Sequence, residues 1–113
     1  MFKNFFSGAA RSDSGAIEHE EFAQAVDSGR VLVVDVREPH EFATGRISGA
    51  VNAPMSRFDA RDLPSSKPVV LICQAGGRSL KALNQARSIG RKDVRHYAGG
   101  MNGWRSRGGN VEV

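Results

Sequence analysis

Apolar residues fall in short β-branched runs, separated by stretches in which they recur every three or four positions. Residues 31–36 (VLVVDV) form a nearly unbroken run, the pattern of a strand buried on both faces of a parallel sheet. Residues 69–72 repeat it and end at Cys73. Residues 50–53 and 94–97 predict two more strands, the former stopped by Pro54. Between these runs the spacing turns helical. From Glu18 to Gly29 the acids sit in the first turn, Phe22 and Val26 share a face, and the glycine is placed to end the helix. Pro39 opens a short helix through Phe42 that Gly45 closes. Residues 79–89 follow with Leu80, Leu83 and Ala86 apolar ahead of Gly90, and residues 101–107 close the series around Trp104. Residues 55–67 are polar and bounded by prolines, hence a loop with one helical turn at most. Strands alternating with helices predict an α/β domain over residues 17–113, its sheet mainly parallel.

Composition narrows the class. The chain has 113 residues and 12.2 kDa, enough for one domain. No apolar run approaches the roughly 18 residues of a membrane span. One cysteine excludes an internal disulfide and a zinc site of several thiolates. His19, His40 and His96 lack metal-ligand spacing and read as surface or structural residues, so no metal is expected. Residues 1–16 stand apart: Phe2, Phe5, Phe6 and Ala9 make a helical stripe too short and interrupted for a secretory segment, which predicts a terminal arm. With no signal peptide evident and an unpaired thiol, the expected compartment is the cytoplasm.

Charge is lopsided. The net +4 divides into an acidic first half and a basic second half, where Lys81, Arg87, Arg91, Lys92 and Arg95 cluster. Such a face suits a small anion or an acidic protein, or simply keeps the domain solvated. Aromatic residues are not interleaved with these cations, so nucleic acid is not an expected partner.

The single cysteine lies at the carboxyl end of a predicted central strand, where ligands bind in open α/β sheets. Behind it runs Gln74-Ala75-Gly76-Gly77-Arg78-Ser79 and then a helix. The glycines let successive backbone N–H groups turn inward, and with the helix N-terminus and Arg78 they form a positive cradle around the sulfur. A cradle of this kind lowers a thiol's pKa and holds an anion beside the thiolate. Free cysteines are often small buried hydrophobes, but a core residue needs no cradle after it.

These residues belong to a wider pattern. Asp35-Val36-Arg37-Glu38 with Glu41-Phe42, Gly45–Ala50 with Asn52 and Pro54, the Cys73–Ser79 loop, and Tyr97-Ala98-Gly99-Gly100 with Trp104 occur in this order. Over residues 17–113 the chain resembles the single-domain rhodanese-like (thiosulfate sulfurtransferase-like) proteins. The resemblance implies a three-layer α/β/α fold with about five strands. It implies that Cys73 carries a sulfane sulfur as a persulfide, taken from thiosulfate or a persulfide donor and passed to a thiol, cyanide or an acceptor protein, without metal or organic cofactor. Gln74, Ala75, Gly76, Gly77, Arg78 and Ser79 would hold the anionic donor, with Asp35, Arg37 and Arg46 in support. Asp35 is expected to cap backbone N–H groups. Arg37 is expected either to reach the pocket or to pair with Glu38 or Glu41. Arg46 stands where relatives commonly have His, and would sit at the pocket rim or face solvent.

Other readings compete. A phosphatase or arsenate reductase of the same fold has five residues between Cys and Arg, whereas four separate Cys73 from Arg78, a tighter cradle suited to a sulfur atom. Interaction modules of this kind often lack the cysteine or its loop, and this chain keeps both. A persulfide relay to a protein partner would use Cys73 in the same way. Dithiol redox chemistry fails for want of a second cysteine.

Overall fold

A computed structural model describes residues 14–113; the aromatic stripe at Phe2–Ala9 read from the sequence lies outside the described residues. Four parallel strands make one sheet in the order β2-β1-β3-β4. They are β1 (Leu32–Asp35), β2 (Val51–Asn52), β3 (Val69–Ile72) and β4 (Val94–His96). Strand β1 runs in register with β3 from Leu32↔Val69 to Asp35↔Ile72, which brings Asp35 and Cys73 to the same end of the sheet. The helices that flank these strands in the chain are α1 (His19–Ser28), α2 (Pro39–Phe42), α3 (Gly77–Ser88) and α4 (Gly100–Ser106). Residues 55–67 hold two 3₁₀ turns, Met55–Arg57 and Ala60–Asp62, one more than the sequence suggests.

The period-2 alternation of the strands divides the core in two. Val34, Val69, Leu71 and Val94 face Ala82, Leu83 and Ala86 of α3, with Ala60 and Leu63 from the 3₁₀ region. Val33, Val70 and Ile72 face Phe22 of α1 and Met101 and Trp104 of α4, with Tyr97 and Ile47 between. The sheet is thus covered on both faces, which is why its central strands are continuous apolar runs, and the three-layer α/β/α class is established. Each fully buried Val, Leu, Ile or Phe contributes about 1.5–3 kcal/mol, so β1 and β3, sharing both clusters, anchor the site built at their ends.

The resemblance implies about five strands, and four are present among the described residues. The fifth position, outside β4, holds only a single parallel bridge between Ala16 and His96. Ile17 N–H donates to the His96 carbonyl at 3.0 Å and His96 N–H to the Gly15 carbonyl at 2.9 Å. The chain cannot prolong the pairing because Glu18 already serves as N-cap of α1. Helix α1 ends as its sequence predicts: Gly29 takes φ 68°, and its N–H is offered to the carbonyls of Ala25 and Val26. At the other end, Arg46 and Glu112 form an antiparallel bridge, and Trp104 Nε1–H donates to the Asn110 carbonyl at 2.8 Å, which fixes the C-terminal segment against the core.

Candidate active site

Cys73 follows β3 directly, and the chain then turns sharply into α3. Gly76 makes the turn with φ 104°, and a Cβ there would collide with the Ala98 carbonyl, so both conformation and space demand glycine. Gly77 begins α3, two residues earlier than the periodicity suggests. The loop's carbonyls are taken by the start of α4: Met101 N–H donates to Cys73 O at 2.8 Å and Asn102 N–H to Gln74 O at 3.1 Å. Gly100, at φ 63°, must be glycine because a Cβ would meet the Gln74 carbonyl.

With the carbonyls held outward, N–H groups converge on the sulfur. Gly76 N–H donates to Cys73 Sγ at 3.1 Å, Ser79 N–H donates at 3.3 Å, and the Ser79 hydroxyl oxygen lies 3.6 Å away. Cys73 is only 1% exposed. Burial pushes its thiol pKa up, but the Ser79 hydroxyl and the N–H groups of Ser79, Gly76 and Ala75 pull it down, and the net result is a lowered value. These donors favour the thiolate form of a sulfur that sits at the base of a pocket of about 380 Å³. Cys73, Gln74, Ala75, Gly77, Arg78 and Lys81 line that pocket.

Other predicted residues take separate places. Gly76 and Ser79 are buried and address the sulfur rather than the pocket wall. Gln74 is steered by two partners, accepting from Arg37 Nη1–H at 3.2 Å and donating to Asn102 Oδ1 at 2.6 Å. Arg37 touches the pocket only through the Gln74 side chain, and its ion-pair partner is neither Glu38 nor Glu41. Its guanidinium is buried and grips the Asp35 carboxylate, with Nε 3.0 Å from Oδ1 and Nη2 2.8 Å from Oδ2, and its outer N–H groups donate to the carbonyls of Gly45 and Glu41. The reason lies in burial: a fully enclosed guanidinium must satisfy its donors, and Asp35, itself fully buried, is the carboxylate within ion-pair distance. Asp35 does cap a backbone N–H as expected, that of Arg37, at 3.0 Å. Arg46 is not at the rim of the pocket either. Its guanidinium lies over the Phe42 ring, 4.9 Å from the centroid, and donates to the Phe42 carbonyl.

Two residues escaped the sequence reading as site components. Glu41 closes a bidentate ion pair with Arg78, at 2.7 and 3.0 Å, and so occupies the cation expected to hold an anionic substrate. The Arg78 guanidinium pulls the Glu41 carboxyl down to about 2, against the opposing effect of burial. The pair spans 37 residues of sequence, and nothing short of the fold brings them together. Lys81, one cation of the basic face whose use the sequence leaves open, lines the pocket one turn beyond Arg78, and it forms no ion pair among the described residues. Its position three residues after Arg78 on a predicted helix was the available signal. Of the three histidines, His96 is buried, with its Nδ1 2.9 Å from Ser79 Oγ.

The fold and this cysteine-centred cradle define the class. Residues 18–107 match the rhodanese-like domain family, and the chain belongs to it. A Synechocystis protein, slr1261, is 42% identical over 80 residues, which cover 69% of this chain and 45% of that one. The chain thus spans less than half of that relative's length. The human protein named thiosulfate:glutathione sulfurtransferase is 36% identical over 100 residues, covering 74% of this chain and 87% of that one. Among solved structures, the human single-domain sulfurtransferase TSTD1 superposes with a TM-score of 0.73 at 32% identity, covering 82% of this chain and 96% of the other. No helix among the described residues is long and apolar enough to cross a membrane, and no cluster of His, Cys, Asp and Glu there has the makeup of a metal site.

Proposed function

We propose that this chain is a sulfurtransferase that carries a sulfane sulfur on Cys73. The observation that carries the reading is the buried sulfur with the N–H groups of Gly76 and Ser79 aimed at it, at the floor of an open, cation-lined pocket. The lowered thiol pKa supplies a nucleophile, and the same donors serve the charge that returns to Sγ when sulfur leaves.

With thiosulfate, the thiolate attacks the outer, sulfane sulfur. A new S–S bond forms to Sγ, the old one breaks, and sulfite departs with the electron pair. The enzyme is left as a Cys73 persulfide. A thiolate or cyanide then attacks the terminal sulfur, forming an acceptor persulfide or thiocyanate, and the electron pair of the broken bond returns to Sγ. The cycle is a ping-pong transfer through a covalent intermediate, and no external oxidant or reductant is consumed. Lys81 meets the donor's anionic end, beside the Arg78 guanidinium that Glu41 holds. The human relative's name pairs thiosulfate with glutathione, and a small thiol of that kind is the acceptor class assigned here.

Steady-state assay tests this. Thiosulfate and cyanide should yield thiocyanate, and Cys73→Ser should abolish it. Hydrolysis of aryl phosphates at rates typical of phosphatases, with no thiocyanate formed, would overturn the assignment.

A further inference from the structure

Behind the sulfur lies a group that the transfer chemistry above leaves unused. His96, at the end of β4, is 5% exposed, and its Nδ1 lies 2.9 Å from Ser79 Oγ. That oxygen is in turn 3.6 Å from Cys73 Sγ and 3.1 Å from the Gly76 carbonyl. The three side chains form a line from pocket floor to interior: thiol, hydroxyl, imidazole.

A serine hydroxyl has one proton, and here three groups compete for it. The Gly76 carbonyl, which also accepts from Leu80 N–H at 3.1 Å, is a neutral acceptor and has a weaker claim than a thiolate. The contest is between His96 Nδ1 and the sulfur, and the imidazole tautomer decides it. If Nδ1 is bare, it takes the Ser79 proton at the shorter distance and leaves a lone pair of Oγ facing Sγ. That arrangement suits a thiol and repels a thiolate. If Nδ1 carries the proton, it donates to Oγ, and the hydroxyl proton is left for the sulfur.

We propose that His96 is a positioning residue that donates from Nδ1 to Ser79 and so directs the Ser79 hydroxyl proton onto Cys73 Sγ. The inference rests on Cys73 being the working thiol and adds a determinant of its reactivity. The hydroxyl matters because, of the groups that lower the thiol's pKa, it has the largest effect. His96 acts by hydrogen bonding and not by charge. Burial first, and then the positive charge of Arg87, hold its pKa below the ordinary value, so the ring is neutral at and above neutral pH. Around the ring, α3 contributes Ser79 and the Arg87 charge, and Cys73 lies beyond the Ser79 hydroxyl. The bridging segment beside β4 pairs with the His96 backbone through Gly15 and Ile17, and residues 14–17 carry no titratable side chain.

The rate of Cys73 alkylation by iodoacetamide against pH reads this directly in the full chain, whether or not the protein transfers sulfur. His96→Leu should raise the midpoint by about one pH unit, the scale of one hydrogen bond to a charged group, and slow alkylation about tenfold at pH values below both midpoints. Ser79→Ala should produce the same shift, and the double variant no more than either alone. His96→Asn, whose amide N–H stands near the Nδ1 position, should restore most of the loss, whereas His96→Gln should not. An unchanged midpoint in His96→Leu, or additive shifts in the double variant, overturns the proposal. So does failure of His96→Asn to restore the midpoint while melting at the wild-type temperature. Should the leucine variant not fold, nitrogen-15 spectra of the wild-type imidazole decide. A proton on Nδ1 at pH 8 supports the assignment, and a proton on Nε2 alone contradicts it.

Discussion

Arg78 shows how a residue's identity and its availability differ. A cation beside a reactive sulfur invites assignment as the anion receptor, yet both of its terminal nitrogens are committed to Glu41. An incoming anion must compete with that carboxylate, while Lys81 is open to it. Removing the negative charge should therefore help an anionic donor. Glu41→Gln is expected to lower the KM for thiosulfate roughly fivefold, the equivalent of about 1 kcal/mol for one screened charge at close range. Lys81→Ala should raise it by a similar factor, with kcat little changed in both. Steady-state kinetics check the pair, and a rise in KM in Glu41→Gln would show that the carboxylate's service in holding Arg78 outweighs its repulsion.

At the scale of elements, much was legible from local pattern. The β-branched runs at 31–36 and 69–72 are β1 and β3, and Gly29 stops α1 where a glycine with positive φ belongs. The cysteine loop could also be read, because its chemistry is written in consecutive residues and its shape depends on glycine. Gly76→Ala tests that dependence. Forcing alanine to φ 104° costs about 1–3 kcal/mol before the collision with the Ala98 carbonyl is added, and the N–H aimed at Sγ must move with the backbone. Loss of sulfur transfer together with a lower melting temperature is expected; full activity would show that the cradle tolerates a different turn. What local pattern did not carry was which polar groups the fold buries together. Arg37 was open between pocket and Glu38 or Glu41, and its actual partner Asp35 became available only because both are fully buried at the end of β1. His96 looked like one of three scattered histidines until β3–β4 pairing and α3 placed it against Ser79.

Over the whole molecule, stability and site share the same buried polar groups. The Asp35–Arg37 pair joins β1 to the Gly45 turn and to Gln74 of the active loop. Arg37→Ala strands a buried carboxylate and should cost about 3–5 kcal/mol, lowering the melting temperature by roughly 12 °C or more. A loss of under about 1 kcal/mol would mean that water replaces the guanidinium. Acid should weaken the fold in two stages. His96 has a lowered pKa, so below its ordinary 6.5 the unfolded chain binds a proton that the folded chain resists. Its contribution is present above that pH and lost as pH falls through the folded value. Glu41, at about 2 rather than 4.5, contributes above pH 4.5 and loses that contribution as pH falls toward 2, an effect reduced by partial exposure. Chemical denaturation across pH checks the first stage: His96→Asn should flatten the decline just below pH 6.5, and an unaltered decline would place its origin elsewhere.

The central claim is that Cys73 accepts and carries one sulfur atom. Intact mass measured after incubation with thiosulfate, without an acceptor, tests it in a single turnover. The protein should gain the mass of one sulfur, located on the peptide containing Cys73, lose it on addition of cyanide, and gain nothing as Cys73→Ser. No gain from thiosulfate or from a small alkyl persulfide would contradict the account.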